Sequence, residues 1–100
     1  VMVENVCIFP CEDLPSEHVG QDYRCRAITI GKHVVKLATT VHKIDDLGPE
    51  DIGLELWPGT HVMAWLLLQL QERGELKGRT VLDLGCGCGF VGILARLAGC

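Results

Sequence analysis

The chain has 100 residues, 48% hydrophobic and 22% charged, with a formal net charge of −4. That composition is ordinary for one small globular domain or part of one, and the acidic balance gives no electrostatic pull towards nucleic acid or an anionic membrane. The longest unbroken apolar run, Val62 to Leu68, is far short of the ~20 residues a membrane helix needs, and the first residues lack the basic-then-apolar order of a secretory signal.

Val1 to Gly20 has weak periodicity. "VENVCIF" (3–9) reads as a short strand, and Pro10, Pro15, Glu12, Asp13 and Glu17 make the rest a loop. Tyr23 to Ile30 and His33 to Val41 read as two strands of a hairpin, with Gly31-Lys32 between them. Glycine at the first central position of a two-residue loop suits a type II′ turn. Val35, Leu37, Thr39 and Val41 then share one face of the second strand.

Ile44 to Gly53 is a turn-rich acidic connection, and Asp45, Asp46, Glu50 and Asp51 are expected to be solvated. Thr60 is the expected N-cap of the next helix. From there Val62, Met63, Leu66, Leu67 and Leu70 recur at helical spacing, and Gly74 fits the position after the C-cap. The helix is apolar over most of its circumference, which predicts packing on two sides and a core position for Trp65. "TVLDLG" (80–85) predicts a buried strand, and a second helix is expected from Phe90 to Gly99.

Six cysteines in a short chain can signal a disulfide framework. Cys86 and Cys88, however, lie one residue apart inside a glycine loop, poor geometry for pairing with each other. Reduced thiols in the cytosol or nucleus are the expectation. A zinc site is disfavoured, because Cys86-x-Cys88 has no neighbouring His or Cys and zinc sites take four ligands, commonly in pairs two to four apart. Cys7 and Cys11 would have to recruit His18 or Cys25 to complete a ligand set, and nothing in the pattern calls for that.

The chemistry concentrates in "VLDLGCGCGFVGILARLAG" (81–99), where Gly85, Gly87, Gly89 and Gly92 fall within eight residues. A strand, a glycine turn and a helix start together bring backbone N–H groups and the positive helix terminus to a ligand. Gly87-x-Gly89-x-x-Gly92 matches a dinucleotide turn, which keeps an NAD(P)-dependent oxidoreductase open as an alternative. The acid expected ~20 residues later would lie past Cys100. Asp83, two residues before the first glycine, argues the other way. A carboxylate there repels a pyrophosphate but suits S-adenosylmethionine, which carries an amino group and a sulfonium and no phosphate.

The pattern Asp83-x-Gly85-x-Gly87-x-Gly89 resembles motif I of the class I S-adenosylmethionine-dependent methyltransferases. Together with "LELWPGTHVMAWLLLQL" upstream and Gly92-Ile93-Leu94-Ala95 downstream, it resembles methyltransferase family 16 over Gly53 to Cys100, about half the chain. The resemblance implies an α/β fold: an N-terminal β-hairpin extension (1–53) followed by the start of a Rossmann-like domain (54–100), truncated after its first strand–helix unit. It implies S-adenosyl-L-methionine as cofactor and transfer of a methyl group to a lysine of a non-histone protein substrate, with neither nucleic acid nor membrane as partner. The cofactor-binding residues it implies are Trp57, Asp83, Gly85, Cys86, Gly87 and Gly89, with Asp83 facing the amino group. Many members have Glu where this chain has Asp83. The resemblance names no catalytic base, and on this reading the ribose-binding acid, the adenine pocket and the substrate-facing motif fall after Cys100, so the piece alone is expected to be inactive. A non-catalytic interaction fragment is the remaining alternative. His61 is expected to be a solvated or capping histidine rather than a base.

Overall fold

A computed structural model describes residues 9–15, 23–42, 44–49 and 52–100. It shows a mixed α/β architecture with three strands and two helices: β1 (Cys11–Leu14), β2 (Tyr23–Ile30), β3 (His33–Thr40), α1 (Pro58–Glu72) and α2 (Phe90–Leu97). The strands form one antiparallel sheet in the order β1-β2-β3. Short 3₁₀ turns at Ile44–Asp46 and Ile52–Leu54 punctuate the acidic connection.

The hairpin forms where expected, with Ile30 opposite His33 and Tyr23 opposite Thr40. Gly31 has φ 57°, a conformation glycine adopts without a Cβ penalty. The register puts Ile28 and Ile30 of β2 on the same face as Val35, Leu37 and Thr39 of β3, and all five are buried. That face is joined by Ala64 and Leu67 of α1, Leu76, and Phe90, Leu94, Ala95 and Ala98 from α2 and its cap, in a single apolar cluster. Val41 lies beyond the strand and is exposed.

β1 is an addition to the expected hairpin. The segment read as loop after Pro10 pairs with β2, Cys11 opposite Ile28 and Leu14 opposite Cys25. Cys11, Glu12 and Asp13 are exposed, so this short polar edge carries no hydrophobic pattern to announce it. The expected strand at 3–9 lies outside the described residues, apart from Phe9, as do Glu50 and Asp51. Asp45 and Asp46 are exposed as expected.

α1 starts three residues earlier than its expected cap. Trp57 is the N-cap, in extended conformation, and Pro58 takes the first helical position, where its fixed φ and missing N–H cost nothing. Thr60 is inside the helix, its N–H bonded to the Trp57 carbonyl at 2.9 Å. The other end matches expectation. Gly74 has φ 72°, its N–H bonds the Gln71 carbonyl at 2.9 Å, and the Glu75 N–H bonds the Leu70 carbonyl at 3.0 Å, which is the Schellman stop. His33 Nε2 and Gln71 Oε1, 3.0 Å apart, tie the hairpin to this end of the helix.

Two expectations about burial are corrected. α1 buries one face only, through Ala64 and Leu67; Val62, Met63, Trp65 and Leu66 are exposed, so Trp65 is not a core residue here. Val81–Asp83 has no regular secondary structure and Leu84 begins a turn, no strand pairs with the segment among the described residues, and Leu82 and Leu84 are 80% and 83% exposed. The apolar pattern of a doubly covered strand is present without its cover, because the sheet of this structure is the antiparallel one built by residues 11–40. The second helix ends at Leu97, with Ala98 as its C-cap.

Candidate cofactor site

The glycine loop is shaped by three left-handed residues, Gly85, Gly87 and Gly89, with φ 65°, 55° and 87°. The Gly89 N–H closes the turn on the Cys86 carbonyl at 2.9 Å, and the Gly89 carbonyl accepts the Ile93 N–H at 3.0 Å to begin α2. No side chain caps that helix, so the N–H groups of its first turn are left to a neighbour or a ligand.

Across from the loop stands the 3₁₀ turn Ile52–Leu54. The approach is close: a Cβ on Gly87 would come within 2.9 Å of the Gly53 carbonyl oxygen, whereas a Cβ on Gly85 would meet nothing within 4 Å. Trp57 fixes the turn by donating its indole Nε1–H to the Ile52 carbonyl at 2.9 Å. Its position as N-cap thus places one large ring at the junction of turn, helix and loop. Glu55, half-buried between them, accepts the Leu56 N–H on Oε1 at 2.8 Å.

Between the loop and the turn lies a cavity of about 220 Å³. Of the residues read from sequence, Trp57, Gly85, Cys86 and Gly87 line it together. Gly89 shapes the helix start instead, and Asp83 lies outside the lining, its Oδ2 4.0 Å from the Cβ position of Gly92. Asp83 makes no hydrogen bond or ion pair among the described residues. The wall also contains Glu55, Gly53, Thr60 and Phe90, none of which the sequence marks as cofactor-binding. For Glu55 a signal existed: it is the one charge in "LELWPG", directly before a helix start. No Lys, Arg or His lines this cavity among the described residues.

Cys88 is half-buried on the same wall. Burial pushes its thiol up, the backbone amide at Phe90 opposes this, and the charges of Glu55 and Cys86 add to the rise. The thiol therefore stays protonated at neutral pH and acts as a small apolar wall rather than a nucleophile. The five described cysteines are all free, and among the described residues no three His, Cys, Asp or Glu side chains gather as a metal cluster. His61 is half-buried and stacks on Phe9 at 5.8 Å between ring centroids.

A model of a lysine methyltransferase family matches residues 36–100, well over half of the chain. The chain belongs to the lysine methyltransferase family. The match runs from β3 through the 3₁₀ turn, Trp57 and the whole glycine loop. Among curated relatives, the electron transfer flavoprotein beta subunit lysine methyltransferase of Danio rerio is 54% identical over 51 residues, 51% of this chain and 19% of that protein. The ribosomal protein L11 methyltransferase of Methylococcus capsulatus is 45% identical over 49 residues, 49% of this chain and 17% of that protein. The enzyme of the same name from Pseudomonas aeruginosa is 47% identical over 49 residues. The matched part thus spans less than a fifth of the length of these relatives. No solved structure matches the chain significantly. Family membership implies a methyl donor of the S-adenosylmethionine type.

Proposed function

We propose that the chain is the cofactor-binding part of an S-adenosylmethionine-dependent protein methyltransferase whose acceptor is a lysine amine of a non-histone protein. The observation that carries the reading is the charge of the cavity: one carboxylate, Glu55, shares its wall with the backbone of a glycine loop, with no cationic side chain in the lining among the described residues. A dinucleotide pyrophosphate would meet a like charge and no counter-ion there, whereas a sulfonium amino acid meets an opposite one. The names of the relatives support a protein acceptor.

The residues fit the group. Gly85 leaves open the space its Cβ would occupy, so backbone amides can approach a carboxylate end. Glu55 stands where an ammonium would be held, with Asp83 adding negative charge at the entry to the loop. Trp57 and Phe90 supply apolar wall. At about 220 Å³ the cavity is smaller than the ~300–1,000 Å³ of whole small-molecule pockets, so it takes one end of the cofactor. When bound, S-adenosylmethionine supplies an electrophilic methyl group on sulfur. The chain's own contribution is alignment and exclusion of water. The apolar wall also favours a neutral acceptor amine by disfavouring its charge, and no base from the chain is required. In the whole protein, we read Val81–Leu84 as the first strand of a Rossmann-like sheet; its solvent-facing Leu82 and Leu84 support that reading.

Transfer of a labelled methyl group to lysine in a protein substrate tests the function. Glu55→Gln and Gly85→Arg are each expected to reduce it at least tenfold. Undiminished transfer in both variants overturns the assignment.

A further inference from the structure

A second, larger cavity of about 620 Å³ opens on the core face of the sheet, and Glu55 lines both it and the glycine-loop cavity. The two spaces therefore adjoin at that residue. The larger one combines apolar wall from Phe9, Ile28 and Leu56 with charged and titratable groups: Arg24, Arg26, His42, Asp45, Glu55 and His61 all border it. Arg24 and Arg26 are two apart on β2, so both guanidinium groups rise from the same face of the sheet.

Among the described residues these two cations have no anionic partner, and Arg26 donates its Nε–H only to Cys11 Sγ, at 3.1 Å. Thiol sulfur is a weak acceptor, so the planar forks are left with most of their donors unused. A carboxylate is the group they match best. Across the sheet, Thr39 stands opposite Arg24, and its buried Oγ1 has no hydrogen-bond partner among the described residues.

We propose that the larger cavity is the groove for the methyl-accepting peptide, and that Arg24 and Arg26 select acceptor lysines flanked by Asp or Glu. This rests on the methyltransferase reading and names its substrate class. A peptide seated there has its carboxylates on the arginine pair of β2. Its lysine then reaches past Glu55 towards the cavity walled by the glycine loop. Neither arginine lines the glycine-loop cavity, so recognition of the acceptor and retention of the donor use different side chains. A lysine-bearing peptide fits better than a nucleic acid, because Asp45 and Glu55 share the groove with the arginines and match the acceptor's ammonium, a cation that a phosphate backbone lacks.

The test is fluorescence anisotropy at low ionic strength, where exposed charge pairing is least screened. The probes are two labelled peptides, Glu-Glu-Lys-Glu-Glu and Gln-Gln-Lys-Gln-Gln, with S-adenosylhomocysteine titrated separately by calorimetry. The protein is expected to bind the acidic peptide about tenfold more tightly. R24E/R26E should abolish that preference and R24Q/R26Q reduce it, both retaining the affinity for S-adenosylhomocysteine. Equal binding of the two peptides, a preference that survives R24E/R26E, or tighter binding of a short oligonucleotide than of either peptide overturns the proposal. Absence of S-adenosylhomocysteine binding in the unaltered protein overturns the methyltransferase reading instead, while the peptide comparison still decides the groove.

Discussion

Gly87→Ala separates the two reasons for glycine in the loop. With φ 55°, any L-residue at 87 carries the left-handed strain of about 1–2 kcal/mol. Its Cβ would also stand 2.9 Å from the Gly53 carbonyl oxygen, and backbone on both sides must move to relieve that contact. Overpacking of this kind costs about 1–3 kcal/mol, giving roughly 2–5 kcal/mol for Gly87→Ala from the two terms. Gly85→Ala is the control: its φ is 65°, but the added methyl meets nothing within 4 Å, which leaves only the ~1–2 kcal/mol of strain. Urea unfolding of the two variants reads the difference directly, and about 1 kcal/mol corresponds to ~4–8 °C in Tm for a domain of this size. The functional order should be the reverse for ligand contact, since the Gly85 methyl points into space a cofactor would use. Equal destabilisation by the two substitutions would refute the close approach of turn and loop.

Trp57→Phe keeps the ring but removes the Nε1–H bond to Ile52; a loss of about 0.5–1.5 kcal/mol and weaker S-adenosylhomocysteine binding are expected, checked by unfolding and calorimetry on the same samples. Leu82→Ser alters a side chain that is 80% exposed, so the chain of residues 1–100 should change by no more than ~0.5 kcal/mol; a larger loss in thermal unfolding would show that this segment is covered. Cys86 is exposed, whereas burial pushes the Cys88 thiol up, so iodoacetamide at pH 8 should label Cys86 faster, as read by mass spectrometry, and the order should vanish in urea. A thiol raised by folding holds its proton longer in the native state. Its contribution to stability is therefore present below the unfolded thiol range and declines as pH rises through about 8.5 and beyond.

Local signals were legible where backbone geometry demanded a particular residue. Gly31 marked the hairpin turn and Gly74 the helix stop, because only glycine takes those φ values without strain. The same geometric demand holds at Gly85, Gly87 and Gly89, whose backbone is left-handed. The start of α1 differs from the Thr60 cap expected from sequence because Pro58, with its fixed φ and missing N–H, takes the first helical position and leaves Thr60 inside the helix. β1 escaped notice because three of its four residues face solvent and its existence depends on the free edge of β2. Trp65 and Leu82 read as buried because an apolar pattern reports what a segment is suited to, and cover is a property of the elements around it. For Glu55 the local signal is only a lone charge before a helix start; that it faces the glycine loop depends on the 3₁₀ turn meeting a loop distant in sequence, which no local spacing carries.

Calorimetric titration of S-adenosylhomocysteine into the protein, with NAD in parallel, tests the central claim most directly. The charge of the cavity around Glu55 and the glycine loop calls for saturable heat with micromolar affinity from the first and none from the second, with the heat lost in Gly85→Arg. Saturable binding of NAD without binding of S-adenosylhomocysteine would contradict the account and make Gly87 to Gly92 a dinucleotide turn.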